Sequence, residues 1–517
     1  MSRHVKGFIA ILLVGTLIIL GVRFALPWLN DRLQRETSDA SVIHGVIRIG
    51  MDNWIGYFPL CSQEMVRRMR QQGYALRCED DQADYAKRFK RLAAGELELA
   101  VATVDSYLLN GAAQDYPGVI VAVIDESKGG DAILAWRDRV PNLNALKDRP
   151  NIRLAFTPAS PSEHLLKAIG THFDLPVLSG KAGAERIETE GSSQALEKLL
   201  DRDVDVAVLW EPDVSRAKAQ PGIGKLIGTE DTDKLIVDIL LVERHFAQAR
   251  PDVVKTLLEV YFQTLQHYHA YPGQLSQDLM EKTAIGEQQV AAMLAGVAWS
   301  SLSENAASWF GITQDGIGKD EDLIDAINAA LKILQANGDF ASNPLPDGDP
   351  FRLTNRQFIA ELFRRQGDGT TLNPRDANSL AQPFAPLDEA AWGRLKEVGN
   401  LKVEPVSFRR GSGMLDHAGK LLLDKVVDRL RRYPNFRVII KGHTGQRGDP
   451  QANLALSAER AEAVARYLIV TYNMDPNRIK AVGYGSSQPL PRLPDESNRA
   501  YAYRLPRVEL TLATETF

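Results

Sequence analysis

Acidic and aromatic side chains lie directly after predicted strands in the middle of the chain, where they could bind a small molecule. Several carboxylates in one site disfavour a bare oxyanion unless they are already paired, whereas the face of an aromatic ring attracts a cation. The pattern is therefore compatible with a cationic or aromatic-ring ligand. It does not identify the ligand, because half of these acids could instead serve as helix caps or hinge contacts. The acids are Asp52, Asp105, Asp131, Glu211 and Asp238, and the aromatic residues are Trp54, Tyr57 and Trp210.

Further polar residues extend this candidate site. The stretch Ser160-Pro161-Ser162-Glu163 is typical of a helix start, with Ser160 as the N-cap and Glu163 completing a capping box. A helix N-terminus that faces a cleft can bind an anion, but capping alone explains Ser160 equally well. The complete predicted ligand-binding set is Asn53, Trp54, Thr103, Asp105, Ser106, Ser127, Asp131, Ser160, Trp210, Glu211 and Asp238.

The sequence contains no H-E-x-x-H, P-loop, C-x-x-C or G-x-S-x-G pattern, each of which would indicate a catalytic or metal site. His164 lies near Ser160 and Ser162, but we expect an ordinary helix residue rather than a catalytic base. The 66 acidic residues nearly balance the 61 Lys and Arg, for a net charge of −5, which indicates no nucleic-acid partner. We therefore predict a protein without enzymatic activity, cofactor or metal.

The elements that would position these side chains alternate between strand and helix from Gly45 onward, a pattern typical of parallel sheets covered by helices. In such sheets, ligands bind at the carboxyl ends of the strands. Six stretches occur in order along this region: NWIGYFPL (53–60), LAAGELELAVATVDSYL (92–108), DESKGGDAILA (125–135), FTPASPSEHLL (156–166), DVDVAVLWEPDVS (203–215) and IVDILLV (236–242).

Together these stretches resemble the periplasmic substrate-binding proteins of the nitrate/sulfonate/taurine type, which serve ATP-driven (ABC) importers. The resemblance covers residues 44–366. It implies a type II periplasmic-binding-protein-like fold, in which two α/β lobes joined by a hinge close over a small molecule. It also implies a membrane component of an ABC importer as a partner.

A second domain follows a linker rich in Gly, Asn and Pro, which is predicted over 367–395. Predicted strands and helices over 396–514 indicate an α+β domain. Phe408 with Ser412, GHTG (442–445), LSAERAEAVARYL (456–468) and NRIKAVGYGSSQP (477–489) resemble the OmpA-like peptidoglycan-binding domain.

In that family, an Asp that closes a GHTD motif and an Arg of the following helix bind diaminopimelate in the wall peptide. Arg460 occupies the Arg position, whereas Gly445 replaces the Asp. Thr444 and Asn453 match the family's loop positions, although Asn453 could simply cap the helix. Losing a charge-assisted contact in a desolvated pocket costs about 2–5 kcal/mol, so the resemblance implies peptidoglycan binding that is weakened unless Asp449 compensates.

The N-terminus carries an uncharged apolar run, Gly7 to Val22, which resumes after Arg23 and extends to Leu29. As a helix, this segment spans about 34 Å, enough to cross a hydrocarbon core of about 30 Å. A cleaved signal peptide is the alternative, but a cut after Ala25 would place Arg23 at position −3. We predict an uncleaved transmembrane anchor over 7–29, between a cytoplasmic tail (1–6) and a linker (30–43).

The two cysteines, Cys61 and Cys78, are 17 residues apart. Export would permit a disulfide between them, since Cys61 would open a helix and Cys78 would lie late in the next strand, near the same sheet edge. Two buried free thiols are the alternative.

These features predict a single-pass protein of the inner membrane of a Gram-negative-type bacterium, with most of the chain in the periplasm. Its lobes would bind a small solute, as an importer-associated receptor or a sensor, and its C-terminal domain would hold it at the peptidoglycan. The alternative is a non-catalytic envelope scaffold in which both sites are degenerate. A filled cleft would support the scaffold, and a cleft large enough for a ligand would count against it.

Overall fold

The computed structural model describes residues 43–515, apart from 148, 150, 181–182, 284, 313–320, 367–379, 381 and 410. The predicted tail and anchor lie outside the described residues, as does much of the predicted linker over 367–395. Within the described ranges, no helix is long and apolar enough to cross a membrane. The described chain forms two α/β lobes and a C-terminal α+β domain, which confirms the predicted fold class for these parts.

The strands of the described chain form three sheets. In chain order the strands are β1 (Gly45–Met51), β2 (Tyr74–Asp80), β3 (Leu99–Thr103), β4 (Gly118–Ser127), β5 (Asp131–Trp136), β6 (Arg153–Phe156), β7 (Glu185–Glu188), β8 (Val206–Trp210), β9 (Ile223–Gly228), β10 (Val237–Glu243), β11 (Val297–Trp299), β12 (Lys396–Leu401), β13 (Arg437–His443), β14 (Ile479–Gly483) and β15 (Arg507–Thr514).

Helices cover these sheets. In chain order they are α1 (Gln63–Gln71), α2 (Tyr85–Ala93), α3 (Val104–Ala112), α4 (Pro161–His172), α5 (Ser192–Leu200), α6 (Asp213–Lys218), α7 (Arg244–Ala249), α8 (Pro251–Ala270), α9 (Pro272–Thr283), α10 (Glu287–Ala295), α11 (Leu302–Glu304), α12 (Asp322–Asn337), α13 (Gln357–Gln366), α14 (Glu389–Arg394), α15 (His417–Arg431), α16 (Pro450–Tyr472) and α17 (Asn498–Arg504).

The first lobe is built on a six-stranded sheet with the order β11-β4-β10-β3-β1-β2. Strands β3 and β4 are buried along their whole length, as expected for continuous apolar runs covered on both faces. Strand β10 runs antiparallel between them and places Asp238 opposite Thr103 on one side and Asp125 on the other. The register thus brings two carboxylates together at one end of the sheet.

The second lobe is built on a five-stranded sheet with the order β7-β6-β8-β5-β9. The chain enters it between β4 and β5 and returns between β9 and β10. The two crossing segments are tied to each other, because the Thr229 hydroxyl lies 2.8 Å from the Ser127 hydroxyl and accepts the Gly129 N–H at 2.9 Å. They form the hinge between the lobes.

The C-terminal sheet has the order β12-β15-β13-β14, and this domain packs against the second lobe. Tyr433 shares one hydrophobic cluster with Phe173 of the second lobe, with ring centroids 5.3 Å apart, and its hydroxyl lies 2.6 Å from His172 Nδ1.

The C-terminal domain also contacts the segment that crosses between the lobes. Arg432 donates a hydrogen bond to the Asp233 carbonyl at 3.2 Å, and Asn435 donates one to the Glu230 carbonyl at 2.7 Å. The C-terminal domain therefore contacts both the second lobe and a crossing segment of the hinge.

We expect Tyr433→Ala to weaken this packing, because it removes a fully buried ring, and losses of this kind cost about 3–5 kcal/mol. Tyr433→Phe keeps the ring and removes only the hydrogen bond to His172, which is worth about 1 kcal/mol. Differential scanning calorimetry of the full chain checks this. Equal unfolding temperatures for the two variants would contradict the expected order.

Cys61 and Cys78 form a disulfide bond, and their Cα atoms lie 6.2 Å apart. The bridge joins the turn of helix after β1 to strand β2. It therefore fixes the segment that follows β1, which also carries the aromatic residues of the cleft.

Candidate functional site

A cavity lies between the two lobes, beside the hinge. The first lobe contributes Asp52, Trp54, Tyr57, Ala83, Tyr85, Thr103 and Asp238, and the second contributes Asp131, Ser160, Pro161 and Trp210. Its volume is about 30 Å³, room for about two water molecules. A solute of several heavy atoms therefore enters only when the lobes separate.

Trp54 reaches from the first lobe toward the hinge. Its indole N–H donates a hydrogen bond to Asp125 Oδ1 at 3.2 Å, and its ring lies against Gly130, where an added Cβ would come within 2.1 Å of a ring atom. Only glycine leaves room for the ring at this point. The contact joins Trp54 to the segment that crosses between the lobes.

Asp52 is held by Arg88, a wholly buried residue of α2. Arg88 Nη2 contacts Asp52 Oδ2 at 3.1 Å and Asp81 Oδ1 at 2.5 Å, and Nη1 donates to the Val101 carbonyl at 2.6 Å. Burial would lower the pKa of Arg88, but its hydrogen bond with Asp81 and the charge of Asp52 outweigh burial and raise that pKa. Asp52 is therefore already compensated by a fixed positive charge.

Asp238 and Asp125 face each other on adjacent strands. The Tyr57 hydroxyl donates a short hydrogen bond to Asp238 Oδ1, while Asp125 Oδ2 is buried without a hydrogen-bond partner. Burial, followed by the charge of the neighbouring carboxylate, raises the pKa of Asp238 well above its usual value. Burial likewise raises the pKa of Asp125 to about 8, so this pair retains a proton near neutral pH.

Asp131 opens β5, where the chain enters the second lobe. The Ser127 hydroxyl donates to its Oδ2 at 2.7 Å, and the residue is paired with Trp210 across the sheet. Burial, opposed by the Ser127 hydrogen bond and reinforced by the charges of Asp105 and Glu211, raises the pKa of Asp131 to about 7.

This raised pKa predicts a pH-dependent stability. Since the folded protein keeps the Asp131 proton up to about pH 7 and the unfolded chain releases it near pH 4, stability falls as pH rises through this interval. From pH 5 to pH 8, Asp131→Asn should therefore gain up to about 3 kcal/mol of stability relative to wild type. Urea unfolding across this range measures the difference, with the exposed Asp201→Asn as control; a constant difference would contradict it.

Two predicted residues begin helices at the cavity. The Ser160 hydroxyl accepts the Ser162 N–H at 3.2 Å and donates to the Thr157 carbonyl at 2.7 Å. Thr103 caps α3 by accepting the Ser106 N–H at 3.4 Å. Both residues also line the cavity, so each of them caps a helix and lies at the candidate site.

The other predicted ligand residues lie away from the cavity wall. Asn53 is exposed. Asp105 and Ser106 are buried in the first turn of α3, and the Ser127 hydroxyl is bonded to Asp131. Glu211 precedes α6 and accepts the Ser215 N–H at 3.0 Å and the Ser215 hydroxyl at 2.8 Å, both in the first turn of that helix.

Sequence reasoning missed Tyr85, Arg88 and Asp125. Asp125 ends a long apolar strand, the same signal that identified Asp238, and could have been found in this way. Arg88 lies on a helix with several basic residues, a pattern that usually indicates a solvated face. His164, by contrast, lies within α4 as expected, and neither of its ring nitrogens bonds to a described residue.

The C-terminal domain holds a second candidate site around Arg460. Its guanidinium lies over the Phe408 ring at 5.1 Å, and Nε contacts the Ser412 carbonyl at 3.5 Å. Burial lowers its pKa, and no carboxylate of the described residues pairs with it. A half-buried guanidinium with no acid partner can bind a ligand carboxylate by donating hydrogen bonds to it.

The loop before α16 carries the remaining predicted wall-binding residues. Thr444 is buried, and its hydroxyl has no partner among the described residues. Asn453 Nδ2 donates to the Arg447 carbonyl at 3.0 Å. The helix cap is Asp449, which accepts the Ala452 N–H at 2.8 Å, so this carboxylate is committed to capping rather than replacing an acid at Gly445.

Comparisons with known proteins match the C-terminal domain. A sequence model of the OmpA family covers residues 407–502. The peptidoglycan-binding protein ArfA of Mycobacterium tuberculosis (strain ATCC 25618 / H37Rv) is 34% identical over 186 residues, covering 33% of this chain and 57% of ArfA. The peptidoglycan-associated lipoprotein of Rhizobium meliloti (strain 1021) is 40% identical over 68 residues, which cover 13% of this chain and 38% of the lipoprotein. The chain thus spans little more than half the length of ArfA.

Solved structures of binding proteins resemble this chain over half or more of its length. The alkanesulfonate-binding protein SsuA of Xanthomonas axonopodis pv. citri, bound to MOPS, has a TM-score of 0.44 at 16% identity, covering 57% of this chain and 94% of SsuA. The aliphatic sulphonate-binding protein SsuA of Escherichia coli has a TM-score of 0.41 at 17% identity, and the match covers 50% of this chain and 86% of that SsuA. At this level of similarity, neither structure assigns a ligand to the cleft.

Proposed function

We propose that this protein is a solute-binding receptor or sensor of the cell envelope, anchored in the inner membrane by residues 7–29 and positioned at the wall by its OmpA-like domain. The observation that carries the proposal is the cavity at the hinge, because buried polar and aromatic side chains of both lobes converge there. Such a site between two hinged lobes suits reversible capture of a small molecule. No catalytic step is part of the proposal.

Solute binding would act by shifting the population from open toward closed lobes. The C-terminal domain shares a hydrophobic cluster with the second lobe and is bonded to the crossing segment through Arg432 and Asn435. It would therefore move with the second lobe, whereas the proposed anchor precedes the first lobe. Closure would turn the wall-binding domain relative to the anchored lobe, which favours a sensor, while delivery to an ABC importer remains compatible with the same closure.

A thermal-shift measurement tests the receptor half. The purified full chain is mixed with size-fractionated small-molecule extracts, since a ligand that binds only the folded state raises the unfolding temperature. We expect a fraction that raises the unfolding temperature of wild type but not of Trp210→Ala, which removes an aromatic wall of the cavity. Equal shifts in both proteins would place binding elsewhere.

Sedimentation with insoluble peptidoglycan tests the wall-binding half. We expect wild type to pellet and Arg460→Ala to remain in the supernatant. Arg466→Ala is the matched control, because Arg466 is exposed on the same helix. Equal pelleting of both variants would show that Arg460 does not bind the wall.

A second candidate is the non-catalytic scaffold, and two observations favour it. The cavity of about 30 Å³ is too small for a solute as it stands, and Gly445 supplies no carboxylate beside Arg460. If the protein is a scaffold, we expect no extract fraction to raise its unfolding temperature and no retention of the protein by peptidoglycan. A positive result in either experiment separates the two functions.

A further inference from the structure

Both helix N-termini at the cavity already carry an acidic residue. A helix N-terminus attracts negative charge, but α3 carries Asp105 in its first turn and α4 carries Glu163. Glu163 Oε2 accepts the Ala159 N–H at 2.8 Å, while its Oε1 lies 3.0 Å from Lys167 Nζ and 3.5 Å from Arg186 Nη2. Since Glu163 is balanced by these two cations, it is the N-terminus of α3 that gives an anionic ligand little additional stabilisation.

Three carboxyl groups line the cavity, and two of them already have partners. Asp52 is paired with Arg88 at 3.1 Å, and Asp238 accepts the Tyr57 hydroxyl. Among the described residues, no Lys, Arg or His lines the cavity. The local charge therefore disfavours an anion.

Asp131 is the carboxylate with an unused oxygen. It is only 3% exposed, and the Ser127 hydroxyl donates to Oδ2, whereas no described residue donates to Oδ1. Asp131 lines the cavity, so an oxygen without a donor is available there to a ligand. A cationic N–H group of a ligand would satisfy this oxygen with a charge-assisted hydrogen bond.

Aromatic side chains of both lobes surround the same space. Trp54, Tyr57 and Tyr85 line it from the first lobe, and Trp210 lines it from the second. The faces of such rings attract a cation. The Tyr85 ring already carries the Arg88 guanidinium, 4.6 Å from its centroid. The other aromatic side chains, together with the open oxygen of Asp131, match the chemistry of an ammonium or amidinium group, whose charge is positive and whose hydrogen-bonding atoms are all donors.

We infer that the solute carries a cationic nitrogen, an ammonium or amidinium group, which binds Asp131 Oδ1 between the aromatic side chains of the two lobes. This inference rests on the proposed receptor function. The positive group compensates the buried carboxylate at the hinge and contacts rings from both lobes, so it stabilises the closed state more than the open one.

Matched probes test this inference by isothermal titration calorimetry on the full chain at pH 8, above the raised pKa of Asp131. Benzylammonium, benzyl alcohol and phenylmethanesulfonate share a ring and a methylene group, and propylammonium, propanol and propanesulfonate form a second, aliphatic set. We expect each ammonium probe to bind at least about tenfold more tightly than its alcohol, with no measurable binding of the sulfonates. Asp131→Asn should lose this preference, and the exposed Asp201→Asn should keep it.

The outcomes separate the inference from the function on which it rests. Sulfonates that bind more tightly than the ammonium probes would overturn the cationic class and leave a receptor standing. An ammonium preference retained in Asp131→Asn would overturn the role of Asp131. If no probe binds and no extract fraction stabilises the protein, the receptor function fails and the inference fails with it.

Discussion

Replacing Gly445 with Asp is expected to increase retention by peptidoglycan at least about 30-fold, since a charge-assisted contact in a desolvated pocket is worth about 2–5 kcal/mol. The site has room, because an added Cβ would meet only Pro506 Cγ, at 3.9 Å. In the OmpA family, the Asp at this position binds the diaminopimelate ammonium, while Arg460 remains available for its carboxylate.

Quantitative sedimentation with purified peptidoglycan measures this gain. Gly445→Asn is the matched control, because it adds the same shape without the charge. The double variant Gly445→Asp with Arg460→Ala should lose the gain. Equal retention of the Asp and Asn variants would show that the acid does not act as a counter-charge here.

Arg88→Met is expected to reduce the free energy of unfolding by about 3–5 kcal/mol, since it leaves buried carboxylates without their partner. Arg88 is 0% exposed, and its guanidinium pairs with both Asp52 and Asp81. Because Asp52 lines the cavity, the change also adds an uncompensated charge to the site.

Urea unfolding at pH 8 measures this loss, with Arg91→Met as the control. Arg91 belongs to the same helix but is partly exposed, and it pairs with Glu79 and Glu96 near the surface. Surface pairs of this kind are worth at most about 1 kcal/mol. Similar losses for the two variants would mean that the buried network does not stabilise the lobe.

The sequence predicted the parts of the site that local patterns determine. Trp54 lines the cavity because it follows β1 at the carboxyl end of a parallel strand, whereas Asp238 reaches the same edge at the start of antiparallel β10. Ser160 caps α4 as expected, but the predicted capping box does not form, because Glu163 accepts the Ala159 N–H instead of the Ser160 N–H. Glu211 shows the limit of the same reasoning, since an acid that follows a strand can equally well cap the next helix. Only the position of Ser215 relative to its carboxylate decides between the two.

The contacts that sequence reasoning could not find are non-local. Arg88 is buried because two acids on separate segments surround it, and its own helix gives no sign of them. The packing of Tyr433 on Phe173 joins residues of two domains that the sequence describes only one at a time. The small volume of the cleft is likewise a property of the lobe arrangement, which no single segment determines.

Native mass spectrometry of the full chain, purified without dialysis, tests whether this protein is a solute receptor. We expect an additional mass of one small molecule per chain, which disappears on gentle activation and is absent from Trp210→Ala and Asp131→Asn. The mass would also identify the solute and show whether it contains a basic nitrogen. A wild-type chain that carries no small molecule, and acquires none from any extract fraction, would contradict a solute receptor.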